Sequence, residues 1–272
     1  MPRLIPRVAL TVASVAAFAL FVAPGAMAGR PPGVLIPAHP REVLPAHGGT
    51  VDSLNWSGYA VTPHRGKVTA VAGTFKVPAA GLVPPGFAAT WSGIGGYKTN
   101  DLIQAGTAEQ SFPSNPLAGP QYYAWYELLP NSETQLHGCQ GDRKCTVKPG
   151  DHMTVRIGQA SATRWKISVR NGRHWSWSKT VHYKSSRSSA EWILEAPTLL
   201  VAQTLLAPVG TVHFGPTSTY TVSGKKHKIA QGKPTKIVLS PGGTVNEATP
   251  SALGSDGQSF NDCAYSQSCP AP

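Results

Sequence analysis

Two glutamates, Glu191 and Glu195, stand four apart in "AEWILEAP", within a chain that has only 13 acidic residues. A glutamine interrupts a second apolar run, Gln104 in "LIQAG", and another glutamate a third, Glu127 in "AWYEL". Polar side chains inside apolar runs are the places to look for chemistry. A glutamate carboxylate can take a proton from an attacking water and return it to a leaving group. A glutamine amide cannot titrate, so its N–H remains a donor at low pH, suited to a developing oxyanion. Base plus oxyanion donor is the requirement for hydrolysing a peptide bond. Two carboxylates such as Glu127 and Glu195 would instead suit a glycoside bond. Trp91 and Trp125 lie on neighbouring runs, and glycines 93, 95, 96 and 106 leave room for a ligand backbone. Aromatic residues beside carboxylates describe a groove for an extended polymer, peptide or glycan.

Other catalytic arrangements are missing. The chain has no HExxH, no GxSxG and no paired Asp-Thr-Gly. Its nine histidines are scattered without ligand spacing, so neither a metal nor another cofactor is expected. The four cysteines, Cys139, Cys145, Cys263 and Cys269, lack a CxxC spacing. An even count in an exported chain favours disulfides. Three pairings are possible, and the two local ones are the simplest.

The elements that must carry these residues read as strands. Charged residues make up 14% of the chain, while turn formers are abundant, with 28 Gly and 25 Pro. Short apolar runs succeed one another, with turn signals between them and no sustained 3.6-residue period. "RWKISVRNGRHWSWSKTVHY" (164–183) predicts a hairpin turning at Asn171-Gly172. The basic "GKKHK" (224–228) reads as a hairpin tip. Pro197 leaves "AEWILE" too short for a useful helix. As a strand it places Glu191, Ile193 and Glu195 on an open face, with Trp192 and Leu194 against a second sheet. The expectation is an all-β domain, an antiparallel sandwich or a barrel.

The first 28 residues read as a secretory leader. Arg3 and Arg7 precede an apolar segment, and "AMA" (26–28) has the form of a cleavage site. Residues 29–50 are Pro-rich and aperiodic, an arm or pro-segment, and 51–272 form the domain. A secreted protein with no membrane span after leader removal, and a monomer, is expected. The net charge is +11. No nucleic-acid-binding motif accompanies it, and a solvated basic face is the simpler reading. Asn55-Trp56-Ser57 matches a glycosylation sequon at the start of a strand.

The ordered series "NWSGY", "TWSGIGG", "LIQAGT", "YYAWYELLP", "PGDHMTV", "AEWILEAP" and "GTVHF" resembles the glutamic peptidases, or eqolisins, over roughly residues 54–260. The resemblance implies a concanavalin-like sandwich of two antiparallel sheets with the active site on a concave face. It implies Gln104 and Glu195 as the catalytic pair, with Glu191 as a neighbour and Trp91, Trp125 and Glu127 lining the groove. The implied substrate is a polypeptide, cleaved at acid pH. One position departs: Tyr123 stands where fungal members carry an aspartate. Two other readings remain open, a two-carboxylate glycoside hydrolase and a non-catalytic carbohydrate- or wall-binding module.

Overall fold

A computed structural model describes residues 42–46, 49–111, 119–199 and 202–272. The leader 1–28 lies outside the described residues, as does most of the 29–50 arm. The regular structure of the described chain is almost all β-strand, arranged in two layers.

One layer has the order β1 (Glu42–Ala46), β2 (Thr50–Ser53), β18 (Thr235–Leu239), β3 (Trp56–Val61), β12 (Ala190–Glu195), β5 (Phe87–Gly95), β6 (Leu102–Gln110), β7 (Gln121–Leu128), β8 (Thr134–Gln135). The other runs β11 (Trp175–His182), β10 (Arg164–Asn171), β9 (His152–Gln159), β4 (Val68–Lys76). At β4 it forks. One branch is β16 (Thr219–Val222) and β17 (Lys225–Lys228). The other is β15 (Thr211–Phe214), β20 (Phe260–Ala264) and β19 (Ala248–Pro250). A single pair, Leu239 with Ala248, joins β19 to β18 and links the layers along one edge. β13 (Thr198–Leu199) and β14 (Ala202–Gln203) form a separate small ribbon. Pairing is antiparallel throughout these sheets except between β18 and β2.

Period two decides which side chains meet between the layers. Trp192 and Leu194 of β12 join Val71, Phe75, Val155, Ile157, Trp165 and Ile167 in the interlayer core. Burying each large apolar side chain there contributes about 2–3 kcal/mol before entropy is counted. Trp192 also donates its Nε1–H to the Ala72 carbonyl of the facing layer at 2.9 Å. A second apolar cluster lies on the far face of the first layer and contains Trp56, Trp91, Trp125, Ile193 and Ile237.

The turns differ from the sequence reading in two places. Asn171 does not turn; it pairs with Trp175, and the hairpin loop is Gly172-Arg173-His174. Asn171 is held in the ladder because its buried amide donates to Asp151 Oδ2 at 2.6 Å. "KKHK" is a strand, β17, and the tip is Ser223-Gly224, both at positive φ as a two-residue hairpin turn requires. The disulfides are the local ones, Cys139–Cys145 and Cys263–Cys269. Among the described residues no helix is long and apolar enough to cross a membrane.

Candidate active site

Register builds the site. On the face of the first layer turned away from the core, three rows of side chains cross the strands. Glu127, Gln104, Gly93 and Glu191 form one row. Trp125, Gly106, Trp91 and Ile193 form the next, and Tyr123, Ala108, Ala89, Glu195 and Trp56 the third. Every residue that the sequence singled out for chemistry therefore lies on one face, spread over β5, β6, β7 and β12. The expected open face is not open in this chain. Trp56, Trp91, Gln104, Trp125, Glu191 and Glu195 are all fully buried.

Each polar headgroup has a definite environment. Glu195 accepts from Trp91 Nε1 at 2.7 Å on one oxygen and from Asn55 Nδ2 at 2.9 Å on the other. Burial pushes its carboxyl well above the usual glutamate range, while Trp91, Trp56 and Asn55 pull it back. Gln104 donates from Nε2 to Glu127 Oε2 at 2.7 Å, and its Oε1 is buried without a hydrogen-bond partner. With its nitrogen on the Glu127 carboxyl oxygen, the carbonyl end of the Gln104 amide is turned away from that residue. The second N–H of that amide is then left to point elsewhere. Glu191 is raised by burial as well, against the pull of Ser189 and of the Tyr97 backbone.

Gln104 and Glu195 are not direct neighbours. They are two strands and four residues out of step, about 10 Å across and about 13 Å along a flat ladder. Trp91 spans that gap. Its Nε1 is on Glu195, and the other edge of its indole overhangs Gly93, in the row of Gln104. A Cβ at Gly93 would come within 2.9 Å of Trp91 Cζ3. Trp56 packs edge-to-face on the same indole, with centroids 4.9 Å apart. Glu191 shares the row of Gln104, with only glycine between them.

Two participants were not picked out from the sequence as functional. Asn55 and Trp56 belong to the quoted "NWSGY", but the sequence offered only a sequon there. Asn55 is 2% exposed with its amide on Glu195, so it is not an open glycosylation position. Tyr123, the departing position, is tied in through its hydroxyl. That group accepts from Gln110 Nε2 at 3.1 Å and donates to Glu133 Oε1 at 2.7 Å. A carboxylate thus stands one tyrosine further out. No group of His, Cys, Asp and Glu among the described residues could hold a metal ion.

The profile of the peptidase A4 family matches residues 54–257, three quarters of the chain. The chain belongs to this family of glutamic peptidases. It is a hydrolase, a glutamic-type endopeptidase. Solved structures agree in fold. Scytalido-glutamic peptidase with a transition-state analogue inhibitor superposes with a TM-score of 0.61 at 19% identity, covering 78% of this chain and 98% of that one. A second complex of scytalido-glutamic peptidase, with a peptide-based transition-state analogue, gives 0.59 at 19% identity, covering 77% and 98%. SCP-B, an eqolisin bound to the tripeptide Ala-Ile-His, gives 0.56 at 18% identity, covering 77% and 98%. No curated protein is similar enough in sequence to match. The β-sandwich expected of this glutamic peptidase is the fold found.

Proposed function

We propose that the protein is a secreted acid endopeptidase in which Glu195 activates water and Gln104 stabilises the oxyanion. The reading rests on the family motif and on one buried face that holds Gln104, Trp91 and Glu195; it requires the opened face to close the offset of two strands and four residues, so that both groups reach one scissile bond. In the reaction, Glu195 takes a proton as the water oxygen bonds to the carbonyl carbon. The free N–H of Gln104 receives the charge that develops on the carbonyl oxygen. Collapse of the tetrahedral intermediate breaks the C–N bond, and Glu195 gives its proton to the leaving nitrogen. Asn55 and Trp91 orient the carboxylate and favour its ionised form, offsetting part of the pull of burial. Trp125 and Glu127 line the groove for a polypeptide. The enzyme acts as a monomer and needs no cofactor.

The register favours one other assignment, with Glu191 as the base, because it faces Gln104 across Gly93 alone. The decisive experiment assays Glu195→Gln, Glu191→Gln and Gln104→Ala on a casein-like substrate from pH 2 to 7. Loss in Glu195→Gln and Gln104→Ala, with Glu191→Gln active, supports the first assignment. An active Glu195→Gln with a dead Glu191→Gln transfers the role. Proteolysis surviving in Gln104→Ala overturns both.

The buried site bears on residues 29–50. With the groove tryptophans closed to solvent, the active form is one in which this face has opened. β1, from the end of that arm, runs antiparallel to β2 on the edge of the same sheet. The reading is that residues 29–50 are a pro-segment. Proteolysis should begin with a lag that disappears in a chain starting at residue 51.

A further inference from the structure

The basic residues raise a separate question, because the catalytic face uses none of them. Several of them lie on the outer face of the second layer. There, Arg156 of β9 and Arg170 of β10 flank Ser168 in adjoining rows, all three with side chains directed away from the core. A cleft of about 410 Å³ opens beside them, walled by Gly138 and Gln140 of the Cys139–Cys145 loop. A second hollow of about 380 Å³ shares Gln140, Arg170 and Ser176 with the first, and adds Arg173 and His174. The two adjoin through these shared residues. Three arginines and a histidine line them, and no carboxylate does. The nearest acids by chain position are occupied elsewhere. Asp142 accepts from the Lys144 and Thr146 backbone, and Asp151 from Asn171 and the Lys148 backbone.

The wall is built rather than floppy. Gln140 exchanges two backbone hydrogen bonds with Ser176, at 2.8 and 3.0 Å, which ties the disulfide loop to the free edge of β11. Arg170 is braced by Nε donating to the Gly172 carbonyl at 2.7 Å, leaving its terminal nitrogens for a ligand.

We propose that these adjoining hollows bind a linear phosphate-bearing polyanion, one phosphate per hollow. Guanidinium forks and hydroxyl donors match the several acceptor oxygens of a phosphate better than the two of a carboxylate. Two hollows in series suit a chain rather than a single ion. A single-stranded nucleic acid fits less well, because base stacking needs exposed rings. Trp175 is buried, and Trp177 is half-buried and stacked on Tyr126. Such a site would hold the peptidase on a phosphate-rich surface while the catalytic face, on the other layer, stays free.

The test titrates the full-length protein with linear polyphosphate, orthophosphate, poly-glutamate and oligo-dT, following tryptophan fluorescence and retention on a polyphosphate resin over a range of salt. Polyphosphate should bind most tightly, with affinity falling as salt rises. Arg156→Ala and Arg170→Ala should each weaken it roughly tenfold. Lys226→Ala with Lys228→Ala, which removes twice the charge of either arginine variant but from β17, should leave it nearly unchanged. Far-UV circular dichroism and peptidase activity should be unaltered in all variants. The proposal is overturned if polyphosphate does not bind, or if the lysine pair matters as much as the arginines. It is equally overturned if poly-glutamate or oligo-dT binds as tightly, or if orthophosphate competes as well per phosphate as the chain.

Discussion

The two faces of the first layer both bury carboxyl groups, and they treat them differently. On the face of the proposed site Glu195 and Glu127 are met by N–H donors, from Trp91, Asn55 and Gln104. On the interlayer face the partners are hydroxyls. Thr107 donates to Glu109 at 2.7 Å, and Ser57 donates to Asp262 of the opposite layer at 2.7 Å. Burial lifts Glu109 to about 8 and Asp262 to about 8. A hydroxyl can donate to a carboxylate or accept from a carboxylic acid, so it tolerates either state. An indole or amide N–H can only donate, and so favours the ion. Depth raises the pKa on both faces, and the kind of donor decides whether the group is equipped to work as a base.

The largest effect that would break this contrast is on stability. Glu109 and Asp262 bind protons more tightly folded than unfolded. Their contribution is complete below about pH 4, the ordinary carboxylate range, and is lost as pH rises toward 8. Urea midpoints should therefore fall from pH 4.5 to pH 8, with each group costing up to about 1.4 kcal/mol per pH unit over that window. Glu109→Gln should flatten the slope. Stability that is level or rising with pH would show that the interlayer carboxyls are ionised after all.

Next comes chemistry. Glu195→Gln and Gln104→Ala should each cut kcat/KM by roughly two or more powers of ten. Glu109→Gln, on the other face, should leave it within a few-fold once folding is controlled. In the wild type, kcat/KM should fall toward low pH with an acid limb above the ordinary glutamate value of about 4.3, because Glu195 is raised by burial and, as the proposed base, would have to be ionised.

Smaller changes sharpen the point. Gly93→Ala pushes a methyl into Trp91 and should lower activity while costing roughly 1–3 kcal/mol in stability, seen by thermal melting with assay. Asn55→Ala removes one of the two close donors to Glu195. It should raise the acid limb of the pH profile and slow turnover about tenfold. Asn55→Asp, which sets a second carboxyl beside Glu195, should raise that limb further.

Much of this was legible in the chain. Period two in "AEWILE", stopped by Pro197, assigned both faces of β12 correctly, because a strand with two buried faces still alternates. The motif order led to the family and to the two-layer fold. What the sequence hid was depth. A glutamate on a strand, such as Glu109 or Glu195, reads as solvent-facing, and only the packed layers show that it is not. Asn55 was hidden because its partner is 140 residues away. The turn at Asn171 was misplaced because its amide finds Asp151, a contact no local pattern encodes.

β12 has one further consequence. Its carbonyl at Trp192 lies where a Cβ on Gly58 would sit, at 2.1 Å, so β3 and β12 close on each other with nothing to spare. A slip of one residue would send Trp192 outward and thrust both glutamates into the oily interior. The strand that carries the proposed base is thus also a keystone, and no half-assembled chain can present the carboxylate correctly. Proteolytic activity in this molecule should appear only with the finished architecture, which makes turnover a faithful reporter of correct folding.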